Sequence, residues 1–149
     1  MLQSPRLVAG LRALTAGLLV LGGYVHLHRW QGGYKGIPQI GPLFLTNAIV
    51  SFALAGVILF WTAKPITLSV AALQVGTLVG FVLSRTIGVF NFKETTFGSD
   101  EGAALAAEIG ALVVVAVLLS VRRWQQVHAV ATPVEAPGYD SESRELQAA

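Results

Sequence analysis

The sequence predicts an all-α fold: a four-helix transmembrane bundle, up-down-up-down, with a disordered C-terminal tail. Three observations predict it. Apolar residues make up 54% of the 149 residues and charged residues only 12%, about half the roughly 25% usual in soluble domains. So little charge cannot cover a water-facing surface, which excludes a soluble enzyme, and a mean hydropathy of +0.65 excludes disorder for the body of the chain. Four apolar segments follow one another, each near the roughly 20 residues a helix needs to cross about 30 Å of hydrocarbon. Finally, Val and Ile favour strands in water, but an open strand edge in lipid leaves backbone groups unpaired, so helix prevails.

The elements follow in order. Span one covers about 13–30, through Leu18-Leu19-Val20-Leu21. Arg6 and Arg12 before it resemble the start of a signal peptide. No small-x-small cleavage site follows, and the segment ends in Tyr24, His26, His28, Arg29 and Trp30, so it reads as an uncleaved span. A Gly- and Pro-rich loop leads to span two, about 41–63. Lys64-Pro65 makes a tight turn, and Pro65 suits the first turn of span three, about 66–90. A polar stretch, 91–102, offers Ser99 and Asp100 as caps for span four, about 103–121. Short links make neighbours antiparallel. Residues 1–128 form one transmembrane domain. Residues 129–149, with Pro133, Pro137 and scattered Glu and Ser, read as a disordered cytoplasmic tail.

The charge is uneven. The last 21 residues hold Glu135, Asp140, Glu142 and Glu145 against Arg144, a net −3, which leaves +5 on the body of a chain whose total is +2. The basic residues stand singly at span ends and form no patch, which excludes nucleic acid as a partner and points to membrane anchoring. Arg6, Arg12, Lys64, Arg122 and Arg123 share one side, and Arg29, Lys35 and Lys93 the other. Five against three places both termini in the cytoplasm of a multi-pass cell-membrane protein.

Ionisable residues inside spans are where function is sought first. Arg85 and Glu108 lie at similar depth on consecutive antiparallel helices, so an Arg85–Glu108 ion pair is expected. It either fixes helix register or belongs to a polar pocket. His26 and His28 end the first span, and Asn47 begins the second, with Ser51 a turn deeper. The expected ligand-binding set is therefore His26, His28, Asn47, Arg85 and Glu108, facing the outer leaflet. The plain alternative is that these groups bond to one another across the bundle. His26 and His28 point about 200° apart on a helix, so no metal site is expected. One of them can offer a single axial haem ligand, with no second histidine inside a span. No cofactor is expected, and a quinone enters only as a ligand of the polar pocket.

Gly76, Gly80, Ser84 and Gly88 repeat every four residues. Such a ridge admits a close neighbour, either the fourth helix or another membrane subunit. Catalytic motifs are missing: the chain has no phosphate loop, nucleotide fingerprint or nucleophile elbow. Gly22-Gly23 lacks the context of any of them. Without cysteine there is no disulfide, thiolate metal site or thiol nucleophile.

The pattern His28-x-Trp30, Gly33-Tyr34, Ile37-Pro38-x-Ile40-Gly41-Pro42-Leu43-Phe44-Leu45-x-Asn47 and Leu83-Ser84-Arg85-Thr86-x-Gly88 resembles small four-span membrane proteins of actinobacteria. The resemblance covers about residues 24–92 and implies the four-span architecture, with no activity to carry over. The expected function is that of a non-catalytic accessory subunit in an envelope or respiratory membrane complex, partnered by lipid and by another membrane protein or a second copy. The alternative is a binder or carrier of a lipid, quinone or small ion in the outer pocket. Third comes a membrane enzyme with Glu108 or His26 as base.

Overall fold

The structure, a computed structural model, describes residues 5–61 and 63–130. Four helices account for most of them: α1 (Pro5–Gly32), α2 (Ile40–Phe60), α3 (Lys64–Thr86) and α4 (Ser99–Val130), with a 3₁₀ turn at Tyr34–Gly36 between α1 and α2. All four are long and apolar enough to cross a membrane. The shortest, α2 at 21 residues, spans about 32 Å. Each helix packs on its two neighbours, α1 against α2 and α4 most extensively, α2 against α3 least. The tail expected at 129–149 lies outside the described residues from position 131 onward; Ala129 and Val130 still belong to α4.

Solvent logic is inverted, as membrane residence demands. Large apolar side chains such as Val57, Phe60, Val79, Val82, Ile109 and Val113 face outward, which in water would be an aggregation hazard. Thr15, Thr67 and Gln74 turn inward. Several hydroxyls along the helices return to the backbone one turn back, Thr15 to the Leu11 carbonyl at 2.8 Å and Ser120 to that of Ala116 at 2.8 Å, so these donors are not left open in lipid.

Helix ends differ from the sequence reading where a specific group sets them. α1 begins at Pro5, eight residues before the apolar run, and carries Arg12 to the end of α2. There its guanidinium donates to the Ile58 carbonyl at 3.0 Å and to that of Leu59, satisfying carbonyls the helix leaves open. α3 stops at Thr86 rather than near residue 90. Gly88 adopts φ +84°, and its N–H donates to the Leu83 carbonyl at 2.8 Å, the left-handed closure that glycine makes easily. A tight turn follows, with Phe90 and Asn91 both at positive φ and Val89 and Phe92 exchanging two backbone bonds of 2.8 Å. At the start of α4, neither Ser99 nor Asp100 caps. The Glu101 carboxylate accepts the Gly98 N–H at 2.7 Å, half of a capping box.

The close approach in the bundle belongs to α1. A side chain at Gly23 would sit 3.0 Å from the Ser51 Cβ and 3.3 Å from the Ala48 carbonyl, so this glycine lets α1 meet α2 directly. Gly22 faces Ala107 of α4. The half of the bundle nearest the α2–α3 turn is filled solid by Ala16, Leu19, Ala55, Ile58, Val70 and Val115. The opposite half, between the α1–α2 and α3–α4 connections, is hollow.

Candidate functional site

The hollow half holds a cavity of about 400 Å³, lined from all four helices and both long connections. Its walls are mostly apolar or aromatic, from Leu43, Phe44, Leu73, Phe81 and Phe92. Its polar groups are few and come from different elements. His26 lies six residues from the end of α1, Asn47 seven into α2 and Glu108 nine into α4, so all three reach about 9–14 Å below the helix ends.

His26 and Glu108 form the centre. Both are more than nine-tenths buried. The His26 Nδ1 lies 2.9 Å from the Gly22 carbonyl. A carbonyl only accepts, so Nδ1 carries a proton and Nε2 faces the cavity. Nε2 stands 3.9 Å from a Glu108 oxygen, too far for a direct hydrogen bond. Across the cavity the Asn47 side chain donates to the Thr77 hydroxyl at 2.6 Å and accepts from Ser51 at 3.2 Å. That chain ties α2 to α3 where they otherwise touch least.

A polar cap borders the cavity at the loop end. Arg29 pairs with Glu101 and lies 3.9 Å from Asp100. Its guanidinium is 5.5 Å from the centre of the Tyr34 ring. The Tyr34 hydroxyl donates to Glu94, which also accepts the Thr96 N–H at 3.0 Å and the Thr96 hydroxyl at 2.5 Å. The turn at Phe90-Asn91 delivers Phe92 against Tyr34, and Phe44 packs between Tyr34 and His26.

The cap responds to pH in a defined direction. Burial, then the hydrogen bond to Glu94 and its charge, pushes the Tyr34 hydroxyl up to about 12 against the pull of Arg29 and Arg85. Burial alone would raise Glu94. Hydrogen bonds from Thr96 and Tyr34, with Arg29 near, outweigh it and hold this carboxyl below its usual range. Glu94 therefore stabilises the cap above the ordinary carboxylate range, and this is lost as pH falls through its lowered value. Tyr34 contributes fully below about 10 and loses its contribution as pH rises through about 12. Tyrosinate absorbance is expected to show a component titrating up to about 12, and Glu94→Gln to bring that component down; a component unmoved by the substitution would refute the bond.

The structure brings together His26, Asn47 and Glu108 and leaves the other two expected site residues outside. His28 is exposed, with its ring on Tyr24 and Nε2 3.9 Å from Asp100. Arg85 makes no ion pair with Glu108. Its guanidinium donates to the Thr96 carbonyl at 2.5 Å and lies over Phe81 and Phe97. The expected pair fails because α3 ends one residue after Arg85, whereas Glu108 lies nine residues into α4, so the two stand at different depths, and α4 turns Glu108 toward α1. The small-residue ridge is also reassigned. Nothing stands within 4 Å of a side chain built at Gly76 or Gly80, and both line the cavity with Ser84, while Gly88 lies beyond the helix. Small residues here leave room instead of admitting a neighbour. Thr77 was not foreseen as a site residue, though it sits beside that ridge. Arg29, Tyr34, Glu94 and Glu101 read in the sequence only as interface, orientation or loop residues. No cluster able to hold a metal ion occurs among the described residues.

Fold and site together define a multi-pass membrane protein with a chamber in one half of its bundle. No protein-family model, curated protein or solved structure matches the chain, so its chemistry is argued from the chamber itself.

Proposed function

We propose that the protein binds or carries a small amphiphilic molecule inside the bundle. One observation supports this above all: the Glu108 carboxylate is buried at membrane depth, lines a cavity of about 400 Å³ and has no hydrogen bond among the described residues. A carboxylate left without bonds in hydrocarbon is costly, and an occupant would supply them. The volume falls in the usual range for small-molecule sites, which combine apolar walls with a few polar groups. The five-to-three basic asymmetry supports both termini in the cytoplasm of the cell membrane, which puts the chamber in the outer leaflet.

The test is native mass spectrometry of the full chain, released in mild detergent from its own membrane. The expected result is the 15.7 kDa chain plus one small molecule, retained by the wild type and lost from Glu108→Gln. A bare chain overturns the reading. An excess the size of a protein favours the accessory-subunit reading instead.

A further inference from the structure

We infer that the occupant is cationic: a protonated amine carried on an apolar, preferably aromatic, body. The inference rests on the binding function just proposed and adds the sign and donor chemistry of the ligand.

Three independent features of the chamber agree on it. The first is charge. Four carboxylates line the cavity, those of Glu94, Asp100, Glu101 and Glu108, against the single guanidinium of Arg29. Arg29 is already engaged by Glu101 and lies near Asp100, at the mouth and away from Glu108. The second is hydrogen-bond polarity. With Nδ1 committed to the Gly22 carbonyl, neutral His26 turns an acceptor toward the cavity, and Glu108 beside it, in the ionised form that a cation favours, is an acceptor too. Two acceptors 3.9 Å apart call for a donor set against both of them. An ammonium brings three N–H groups and the compensating charge together. A carbonyl or a phosphate would bring only further acceptors. The third is the wall. Tyr34, Phe44, Phe81 and Phe92 put four aromatic rings around the space, and ring faces attract cations, more strongly where water is excluded.

Glu108 is the anchor and the mouth carboxylates are the attracting field. A cation would enter past Asp100 and Glu94, shed water among the rings, and settle against Glu108 and His26 with its apolar body toward Leu43 and Leu73. A low-dielectric cleft lined by one sign of charge concentrates ligands of the opposite sign.

Three probes that share one body separate the possibilities: 4-phenylbutylammonium, 4-phenylbutanol and 4-phenylbutyrate. Equilibrium dialysis against the full chain in phosphatidylcholine nanodiscs, with empty nanodiscs as blank, measures each. Saturable binding of one ammonium per chain is expected, at least tenfold tighter than the alcohol or the carboxylate. Glu108→Gln should weaken it at least tenfold. Asp100→Asn, at the more exposed mouth, should weaken it about threefold at low salt, and it serves as the test if Glu108→Gln does not fold. Equal binding of the alcohol or the carboxylate overturns the cationic assignment, as does ammonium affinity unchanged in both variants. If none of the probes binds but the chain still leaves its membrane with a small molecule attached, the cationic assignment falls and the binding function stands. If neither is seen, both fall.

Discussion

Gly41→Ala is expected to destabilise the protein by about 1–3 kcal/mol, the usual range for forcing one extra carbon into a packed site. Gly41 lies in the first turn of α2, where the 3₁₀ turn folds back onto it. A Cβ there would stand 2.7 Å from the Tyr34 carbonyl oxygen and 2.8 Å from that of Lys35. Both obstacles are backbone, so no rotamer change relieves them. The turn cannot withdraw freely either, because Tyr34 is held by Glu94 and by Phe44. Alanine would ordinarily gain about 1 kcal/mol over glycine inside a helix, and that gain is smaller than the clash. Gly76→Ala is the matched control, since nothing lies within 4 Å of its new carbon. It should be neutral or stabilising by up to about 1 kcal/mol. Thermal unfolding of both variants in one detergent decides the matter. Equal melting points would mean that the turn does not rest on Gly41. The first variant should also return the high tyrosine titration toward normal, because the same displacement pulls Tyr34 off Glu94.

The contrast between these two glycines marks how far the sequence was legible. Apolar runs located all four spans, because lipid imposes one requirement on every residue of a spanning helix and the requirement shows in composition. Helix ends were read less well, since single groups set them: Arg12 reaching the end of α2, and Gly88 closing α3. Depth is legible in the sequence for His26, Asn47 and Glu108, which lie about 9–14 Å below the helix ends as their positions in the apolar runs imply. Rotation about each helix axis is not. Glu108 turns toward His26 of α1, while Arg85, one residue from the end of α3, lies nearer the loops and reaches the Thr96 carbonyl. Glycine spacing does not distinguish close approach from empty space, so the regular Gly76-Gly80 repeat lines the cavity while Gly23, read only as part of a Gly-Gly pair without motif context, carries the α1–α2 contact. The mouth of the chamber was hidden for another reason. Tyr34 and Glu94 are 60 residues apart and meet only because two loops fold over one end of the bundle.

Removing Arg29 should separate the stability of that mouth from its selectivity. Breaking a fully buried ion pair at one partner costs about 3–5 kcal/mol. The Arg29 side chain is 27% exposed while that of Glu101 is 9%, so Arg29→Met should cost less, about 2 kcal/mol. The loss comes mainly from stranding Glu101, whose remaining bond is the Gly98 N–H. Converting that carboxylate as well, in Arg29→Met with Glu101→Gln, keeps an acceptor for Gly98 and removes the stranded charge. The double variant should recover most of the loss and lie within about 1 kcal/mol of the wild type, because replacing both partners of a buried pair is far milder than removing one. A double variant no better than Arg29→Met alone would show that Arg29 acts through its packing on Tyr34 and not through the pair. The ligand readout moves the other way. Arg29 is the only positive side chain on the chamber wall among the described residues apart from any charge on His26, so it opposes a cationic occupant. Arg29→Met should therefore bind phenylbutylammonium more tightly than the wild type although the protein itself is less stable. A general loosening of the bundle predicts weaker binding together with lower stability, so opposite signs in the two measurements would tie affinity to the charge on the wall.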